Sequence, residues 1–420
     1  MFGKRKTDVL IVGAGPVGLF TALSLVERGV EVEIIDAQWR TAARSYALAL
    51  HPGTLAVLDE EGLAGDFVRR GYRLDTVAFY DGGERRAEIE LPRLESVFSF
   101  VLVVPQQALE DAIEERLAAR KVKVKWNHRL GRLEAGEAGC QALVQKLGKE
   151  STGYSFAETG WVVDREITTE AAYVVGADGH RSLVRRQLGI DFPDLGGAQY
   201  FGVFEFAADA EAEHEVRVVL EDATTNVLWP LGEGRFRWSF ELEPPEKTPE
   251  RAKGRLAVQV GAEAFPHLDA AKLAELIAAR APWFTAAVRD VRWSLGVRFE
   301  RRLASSFGRG RAWLAGDAAH LALPLGVQSM NVGLREGRDL AVKLAAAIEN
   351  GAGDLEAYGR AYHDEWRRLL ALDGRVEATA EASDWVTRRA ARIPAVVPAS
   401  GADLESLLGQ IGLRLTASAP

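Results

Sequence analysis

Short apolar runs of strand character recur along the chain, and three of them lead into glycine-containing turns. The runs cover 9–12, 173–175 and 312–315. A continuous apolar run of this length beside turn residues is typical of a strand buried in a parallel sheet. Helical patterns follow, one reaching about Arg28 and another running from about Val332 to Ile348. This succession predicts an α/β fold.

A second group of segments alternates between apolar and polar positions, as strands of an antiparallel sheet do. They are 200–206, 216–220, 227–229 and 236–242. Gly232-Glu233-Gly234 separates the last two and predicts a hairpin, and Pro244-Pro245 ends the set. Helices are predicted at 270–280 and, near the end of the chain, at 404–413. The alternation of charged and apolar residues in Lys121–Trp126 predicts a solvated strand edge.

The length and the charge narrow the class of protein. A chain of 420 residues predicts two packed domains, and 47% hydrophobic with 27% charged residues is typical of a globular protein. A formal net charge of -8 disfavours nucleic-acid binding, which needs a basic surface. Cys140 is the one cysteine, so an internal disulfide is impossible. No apolar stretch approaches the roughly 20 residues of a membrane helix, so we expect no stable membrane insertion and a cytoplasmic location.

The first glycine turn matches the pattern G-x-G-x-x-G. It contains Gly13, Gly15 and Gly18, and Asp36 follows at the end of the strand predicted at 30–35. The first glycine permits a tight turn, the second lets the backbone approach a pyrophosphate, and the third lets helix and strand pack closely. The helix N-terminus suits phosphates, and the acidic residue suits a ribose hydroxyl. The motif predicts a dinucleotide site without choosing between FAD and NAD.

Two later motifs place an aspartate beside glycine after an apolar run. Asp178 is flanked by Ala177 and Gly179, and Asp317 follows Gly316. Behind the second motif lies a loop of small residues that contains Pro324, Gly326 and Asn331. Aspartates at strand ends suit the hydroxyl groups of ribose or ribitol, and loop amides suit the polar edges of a flavin ring.

With these three motifs in this order, the chain resembles the para-hydroxybenzoate hydroxylase-like family of FAD monooxygenases. The segments Arg44–His51 and Val104–Gln106 resemble further family segments. The resemblance implies that Gly13, Gly15 and Gly18 face the FAD pyrophosphate and Asp36 the adenosine ribose. Further implied contacts are Arg44 and Gln106 to the central part of FAD, Asp178 near the pyrophosphate, Gly316 and Asp317 at the ribitol, and Pro324, Gly326 and Asn331 at the flavin ring.

The chain departs from the family pattern around the late loop. Val327 and Ser329 stand where the family commonly has glycine, and Glu336-Gly337 replaces the usual Asp-Ala. Glycine accepts positive φ freely, so replacing it predicts a stiffer loop. In this family the flavin often swings between two positions, and a stiffer loop would restrict that motion.

The dispersed motifs predict a discontinuous Rossmann-like FAD-binding domain at 1–72, 98–190 and 300–378. An inserted β-sheet substrate domain is expected at 73–97 and 191–299, and a helical C-terminal segment at 379–420. The candidates for an aromatic wall of the substrate pocket are Phe201, Phe204, Trp229 and Trp238.

The resemblance implies that NADPH or NADH reduces FAD, that O2 reacts with it, and that a flavin hydroperoxide transfers one oxygen atom to an aromatic or polyketide-like substrate. It implies hydroxylation or epoxidation with no catalytic protein nucleophile. Structural roles are expected for His51 and His320, and no metal site is expected because the histidines lack paired ligand spacing. The alternatives are a flavin-dependent saturase, oxidase or halogenase and, last, a non-enzymatic FAD-binding protein.

Overall fold

The computed structural model describes residues 4–39, 49–152, 158–210, 213–244, 268–372 and 375–416. The strands are β1 (Lys4–Val12), β2 (Val32–Ile35), β3 (Ala49–Leu50), β4 (Tyr72–Leu74), β5 (Thr76–Asp81), β6 (Glu84–Glu90), β7 (Val101–Val103), β8 (His128–Ala135), β9 (Cys140–Thr152), β10 (Glu158–Gly176), β11 (Gln199–Ala208), β12 (Glu215–Leu220), β13 (Thr225–Gly232), β14 (Arg235–Leu242), β15 (Val288–Phe299), β16 (Arg302–Leu303), β17 (Gly308–Arg309), β18 (Ala312–Leu314), β19 (His320–Leu321), β20 (Arg375–Ala378) and β21 (Leu413–Thr416).

The helices are α1 (Pro16–Glu27), α2 (Pro52–Glu60), α3 (Ala64–Arg70), α4 (Gln106–Ala119), α5 (Leu183–Gln187), α6 (Ala270–Arg280), α7 (Gln328–Asn350), α8 (Leu355–Leu369), α9 (Asp384–Arg389) and α10 (Gly401–Gly409). Short 3-10 helices lie at Leu91–Arg93, Gly316–Ala318 and Pro394–Val396. Among the described residues, no helix is long and apolar enough to cross a membrane.

The first sheet brings the three apolar runs together. Its order is β17-β18-β10-β1-β2, and β8 and β9 continue it through β9–β10 pairing. β1 pairs in parallel with β10 and β2, and β10 pairs in parallel with β18. Parallel strands place their carboxyl ends at one edge of a sheet. The turns after β1, β10 and β18 therefore meet at one edge.

The second sheet has the order β15-β11-β14-β13-β12-β5-β6. All four predicted alternating strands are confirmed within β11 to β14, and the predicted helix at 270–280 is confirmed as α6. Aromatic residues of the sheet and apolar residues of α6 form a separate core cluster on one face. Apolar residues on the opposite face belong to the main hydrophobic core, which also contains residues of the first sheet. The sheet therefore has one side closed by α6 and one side turned toward the rest of the molecule.

Two predicted elements are wrong in part. The C-terminal segment is not only helical, because α10 ends at Gly409 and β21 pairs antiparallel with β20. Only Lys125 of the predicted strand Lys121–Trp126 is bridged, in parallel to Ile35, and Lys121 adopts a positive φ of 64° in a turn. In both cases the pairing partner lies far away in sequence, so local alternation could not identify it.

Candidate functional site

The glycine turn after β1 uses each of its three glycines for a different reason. Gly13 has φ +109°, and a Cβ there would lie 2.1 Å from the carbonyl oxygen of Ala177. A Cβ on Gly18 would lie 2.0 Å from the carbonyl oxygen of Gly13. A Cβ on Gly15 would meet no described atom within 4 Å. Gly13 and Gly18 are therefore required by packing, whereas the backbone at Gly15 faces open space at the start of α1, where a ligand can approach.

Asp36 holds this turn from the end of β2. Its carboxylate accepts hydrogen bonds from the backbone N–H of Ala14, at 2.8 Å, and of Gln38, at 2.6 Å. Each carboxylate oxygen has a second lone pair, so the group can still accept a ribose hydroxyl. The structure thus gives Asp36 a bracing contact that the sequence did not predict, in the position where a ribose acceptor is expected.

Asp178 stabilises the start of α5. Its carboxylate accepts hydrogen bonds from Ser182 Oγ at 2.5 Å and from the backbone N–H groups of Leu183 at 2.6 Å and Val184 at 3.3 Å. Burial raises the pKa of this carboxyl. The contacts show a helix-capping role, and the side chain's lone pairs are largely occupied by α5 itself.

Asp317 differs from the other two motif aspartates, because its side chain is exposed. Burial by the surrounding protein raises the pKa of the Asp317 carboxyl. The nearby rings of His320 and His180 act in the opposite direction and lower it. Asp317 is nevertheless accessible, and it lies at the edge of the first sheet where β18 ends. The preceding Gly316 has φ +63°, and a Cβ there would lie 3.0 Å from Val17 of α1. Asp317 is thereby fixed beside the start of α1.

A buried carboxylate on α7 organises the turn that carries Asp317. Glu336, with no exposed surface, accepts hydrogen bonds from Gly316 N at 2.8 Å, His320 Nε2 at 3.0 Å and Trp366 Nε1 at 2.6 Å. The His320 ring also stacks on Trp366 with centroids 3.8 Å apart. These contacts show the structural role that the sequence predicts for His320. The sequence analysis missed Glu336; its only signal was a glutamate where the family usually has aspartate.

The neighbouring glycine substitution also has a packing reason. A Cβ on Gly337 would lie 2.4 Å from Thr21 Oγ1, and one on Gly333 would lie 2.7 Å from Val17 Cγ2. The two glycines are one helical turn apart on α7 and let it approach α1 closely. Both residues of the departure Glu336-Gly337 thus have a structural reason within α7.

The side chain of Asn331 makes its hydrogen bonds within the protein, and the predicted contact of this residue with a flavin ring stays a prediction. Asn331 is fully buried; its Oδ1 accepts a hydrogen bond from His51 N at 2.8 Å, and its Nδ2 donates to Ala49 O at 2.9 Å and Val327 O at 2.8 Å. Both amide protons are therefore used. His51 adds a bond from Nε2 to Gly326 O at 2.8 Å, so its buried ring has the structural role expected for it. Asn331 and His51 therefore brace the late loop.

The late loop is held in an unfavourable backbone conformation. Val327, at the N-cap of α7, has φ 54° and ψ 34°. A β-branched residue rarely adopts this left-handed region, which costs on the order of 1–3 kcal/mol. A Cβ on Gly326 would lie 2.8 Å from Ala395 O, so this glycine faces the C-terminal segment. Pro324 is half-buried at the start of the loop.

The other predicted cofactor contacts lie near α4 or outside the described residues. Gln106 Nε2 donates a hydrogen bond to Glu110 Oε1 at 2.7 Å. Burial raises the pKa of Glu110 to about 7, and its Oε2 is buried without a partner. Arg44 lies outside the described residues.

The four aromatic candidates for the substrate wall do not share one face of the second sheet. Phe204 and Trp238 are cross-strand partners that pack under α6. Phe201 and Trp229 lie on the opposite face, in the core shared with the first sheet. Successive side chains of a strand alternate between its two faces. Phe201 and Phe204 are three positions apart, so they lie on opposite faces of the sheet. The four aromatic residues therefore cannot all line one face, and the assignment of Phe204 and Trp238 to the pocket stays a prediction.

The face of Phe201 also carries polar and partly exposed groups that the sequence analysis missed. Glu205 and Arg237 form an ion pair across β11 and β14 at 2.7 Å. The Arg237 guanidinium lies 5.1 Å from the ring centre of Trp293, and Phe299 contacts Phe201 edge to face. Phe201 and Trp229 are themselves almost fully buried, whereas Trp293 and Phe299 are half-buried. No periodicity in the sequence marks an ion pair between two strands.

The C-terminal segment contacts both the late loop and the second sheet. Gln328 Nε2 donates to Pro394 O at 3.0 Å. Arg389 donates to Leu220 O at 2.7 Å and to Asp222 Oδ1 at 3.1 Å, and Arg392 donates to Thr225 Oγ1 at 2.8 Å. One segment therefore ties the β12–β13 hairpin to the loop before α7.

A family model described as FAD binding domain matches residues 6–371. The 6-methylpretetramide 4-monooxygenase of Streptomyces rimosus is 30% identical over 403 residues, covering 93% of this chain and 64% of that protein. The rifampicin monooxygenase of Streptomyces venezuelae is 30% identical over 363 residues, covering 85% of this chain and 68% of that protein. The chain thus spans about two thirds of the length of these curated relatives.

The fold matches that of the p-nitrophenol 4-monooxygenase from Pseudomonas putida DLL-E4. The TM-score is 0.70 at 22% identity, over 97% of this chain and 94% of that structure. At this identity the similarity shows the fold alone.

Proposed function

The chain belongs to the family defined by the FAD binding domain, and from that membership we propose that it is an FAD-dependent monooxygenase. It inserts one oxygen atom from O2 into an aromatic or polyketide-like organic substrate, with NADPH or NADH as the reductant. The named activities of its relatives support this assignment, since those proteins are monooxygenases of a pretetramide and of rifampicin.

The observation that carries the proposal is the convergence of three distant motifs at one edge of the first sheet. Ala177 N donates to Val12 O at 2.8 Å, and Ala315 N donates to Gly176 O at 3.0 Å, so the three turns are directly joined. Around them lie a free helix N-terminus, the open backbone at Gly15 and the exposed carboxylate of Asp317. Amides with a positive helix dipole suit a diphosphate, and a carboxylate suits sugar hydroxyls. The described residues therefore fit FAD.

We infer the role of each group from this arrangement. The backbone N–H groups of Gly15 and Val17 at the start of α1 would hold the diphosphate, Asp36 the adenosine ribose, and Asp317 the ribitol. Asn331 and His51 would position the loop 324–327 beside the flavin ring without touching it. FAD, when bound, supplies the electron transfer and oxygen activation, and the chain binds, orients and shields the reacting groups.

The domain organisation proposed for this activity follows the two sheets. A discontinuous Rossmann-like unit at 1–72, 98–190 and 300–378 would bind FAD, and 73–97 with 191–299 would bind substrate. The first and second sheets support this division. The substrate would contact the face of the second sheet that carries Phe201 and Trp229, where half-buried Trp293 and Phe299 offer aromatic surface. Apolar rings suit a planar substrate.

The test is to purify the protein with FAD and follow flavin absorbance after mixing with NADPH or NADH, with and without phenolic and polycyclic aromatic compounds. Products formed under 18O2 are analysed by mass spectrometry. We expect substrate to accelerate flavin reduction and one 18O atom to appear in the product. Stoichiometric hydrogen peroxide with an oxidised, unoxygenated product would instead identify an oxidase. Failure of both nicotinamides to reduce the flavin would refute this reductant assignment.

Two matched variants test which face binds substrate. Phe299→Leu is expected to raise KM or to uncouple reductant use from product formation. Phe204→Leu, a comparable change under α6, is expected to leave KM unchanged at temperatures where the fold is intact. The reverse pattern would place the substrate on the α6 side.

A further inference from the structure

His180 lies on the rigid loop between β10 and α5, at the same edge of the first sheet as Gly13 and Asp317. Ser182 N donates to Gly179 O at 2.8 Å, and Arg185 Nη2 donates to His180 O at 2.9 Å. Gly179 has φ +73°, which turns the chain sharply before the histidine. These contacts fix the backbone of His180, so its ring has few directions available.

The ring nitrogen Nε2 of His180 is buried and has no hydrogen-bond partner. Buried polar groups are nearly always paired, so an unpaired ring nitrogen beside a ligand cleft indicates that a ligand completes it. His51 and His320 also have one unpaired ring nitrogen, but their other nitrogen is bonded within the core. They differ from His180 because they lie in the closed core, whereas His180 is only partly buried.

Charged groups of both signs surround this ring. Burial has the largest effect on the pKa of His180 and lowers it. The cations Arg181 and Arg185 lower this pKa further, whereas the carboxylates of Asp317 and Glu300 raise it. The shift is downward from 6.5, so the neutral imidazole is favoured near pH 7. A ligand that brings negative charge would favour the protonated ring, because an opposite charge at short range stabilises the charged form.

Of the cationic side chains next to His180, Arg185 is already engaged, whereas Arg181 is exposed. Arg185 donates to the carbonyl oxygens of Ala318, at 2.8 Å, and of His180. Asp178 and Asp317, the carboxylates of the two flanking motifs, would repel a diphosphate rather than bind it. His180 therefore offers a buried ring nitrogen that is not used elsewhere.

We propose that His180 donates a hydrogen bond from Nε2 to the diphosphate of bound FAD and takes up a proton when FAD binds. This inference rests on the proposed function, because it assumes that FAD occupies the cleft between Gly15 and Asp317. The assigned chemistry is recognition of an organic diphosphate, which NADPH also carries. FAD is favoured because the Arg185 guanidinium donates to both His180 O and Ala318 O, which places His180 beside the turn that carries Asp317.

The test measures the affinity of four apoproteins for FAD. They are the unchanged chain, the variants His180→Asn and His180→Phe, and the control variant His214→Asn. His214 is an exposed histidine that stacks on Tyr72 at the second sheet. Dissociation constants are measured by flavin fluorescence at about pH 6 and pH 8.5, which bracket imidazole titration, and thermal unfolding of each apoprotein verifies the fold. Proton uptake on FAD binding is measured by calorimetry in buffers of different ionisation enthalpy.

We expect both His180 variants to bind FAD about tenfold or more weakly at the lower pH, the size of one hydrogen bond to a charged group. The unchanged chain should bind more weakly as pH rises, because the proton-bound form is the tight one, and the variants should lose this slope and the proton uptake. His214→Asn should match the unchanged chain.

Two other results overturn the inference. FAD binding within twofold of the unchanged chain, with the same pH slope, would show that His180 does not contact the diphosphate. Unchanged FAD affinity with weaker NADPH binding would assign His180 to the nicotinamide cofactor instead. If the unchanged chain itself binds no FAD, the proposed function fails, and that outcome is distinct from a failure confined to the variants.

Discussion

The backbone N–H of Gly316 donates a hydrogen bond of 2.8 Å to Glu336, a carboxylate with no solvent exposure. This bond joins the turn of the late motif to the middle of α7. Trp366 and His320 donate to the same carboxylate, so α8 and β19 depend on it as well. The position of Asp317, one residue after Gly316, therefore depends on a group that never reaches the cleft.

Glu336→Ala is expected to lower the free energy of unfolding by about 2–4 kcal/mol, because it leaves buried donors unsatisfied and opens a cavity. FAD retention should fall together with stability, since the Asp317 turn loses its support. Urea unfolding and the flavin content of the purified protein measure both. Glu349→Ala, at an exposed position of the same helix, should change neither. Equal stability of the two variants would contradict the role assigned to Glu336.

Asp317→Ala is expected to weaken FAD binding about tenfold or more, because a charged acceptor of hydroxyl hydrogen bonds is lost. The unfolding temperature of the apoprotein should stay unchanged or rise, since burial raises the pKa of this carboxyl and its removal abolishes a desolvation cost. Fluorescence titration with FAD and calorimetry of the apoprotein separate the two effects. Full FAD affinity in the variant would remove Asp317 from the site.

Gly13→Ala is expected to destabilise the fold, whereas Gly15→Val is expected to prevent FAD binding by a folded protein. Gly13→Ala should destabilise the fold by several kcal/mol, because its φ is +109° and its Cβ would lie 2.1 Å from Ala177 O. Gly15→Val should leave the apoprotein folded, since no described atom lies within 4 Å of the added Cβ, yet block the approach of the diphosphate. Circular dichroism and FAD titration distinguish them. FAD binding by a folded Gly15→Val protein would contradict the site.

His51 should make the protein less stable in mild acid. Burial lowers its pKa from 6.5 to about 3, so the unfolded chain binds a proton in this window that the folded chain does not. The free energy of unfolding therefore falls as pH decreases below about 6.5, by about 1.4 kcal/mol per pH unit for this one group. Urea unfolding at about pH 6.5 and pH 5.5 should show a smaller acid-induced loss in His51→Gln. Parallel losses in both proteins would show that other groups dominate.

Val327→Gly is expected to raise the free energy of unfolding by about 1 kcal/mol. The left-handed φ of 54° is strained for valine and free for glycine, and part of this gain is offset by the entropy of glycine in the unfolded chain. Urea unfolding checks this, and Val332→Gly, inside α7, serves as a destabilising control. A loss of stability in Val327→Gly would show that packing of the valine outweighs backbone strain.

The amino-acid sequence alone determined the α/β class, the strand–turn–helix unit around Gly13, Gly15 and Gly18, and the segments that became β11 to β14. Each depends on periodicity or glycine spacing over a few residues, which local sequence carries. Phe204 and Trp238 show the limit of this reasoning. They look like Phe201 and Trp229 in sequence, and only the pleat and the placement of α6 put them on the other face.

Only the tertiary structure decided what the buried polar groups do. Asn331, predicted to lie at the flavin ring, forms its side-chain hydrogen bonds with Ala49, His51 and Val327. Its partners Ala49 and His51 lie about 280 residues away in sequence, and the Glu336 carboxylate joins α7 to the turn at Gly316, to β19 and to α8. A polar side chain in a low-dielectric core must satisfy its hydrogen bonds with whatever the packed chain brings near it, and that neighbourhood exists only after folding.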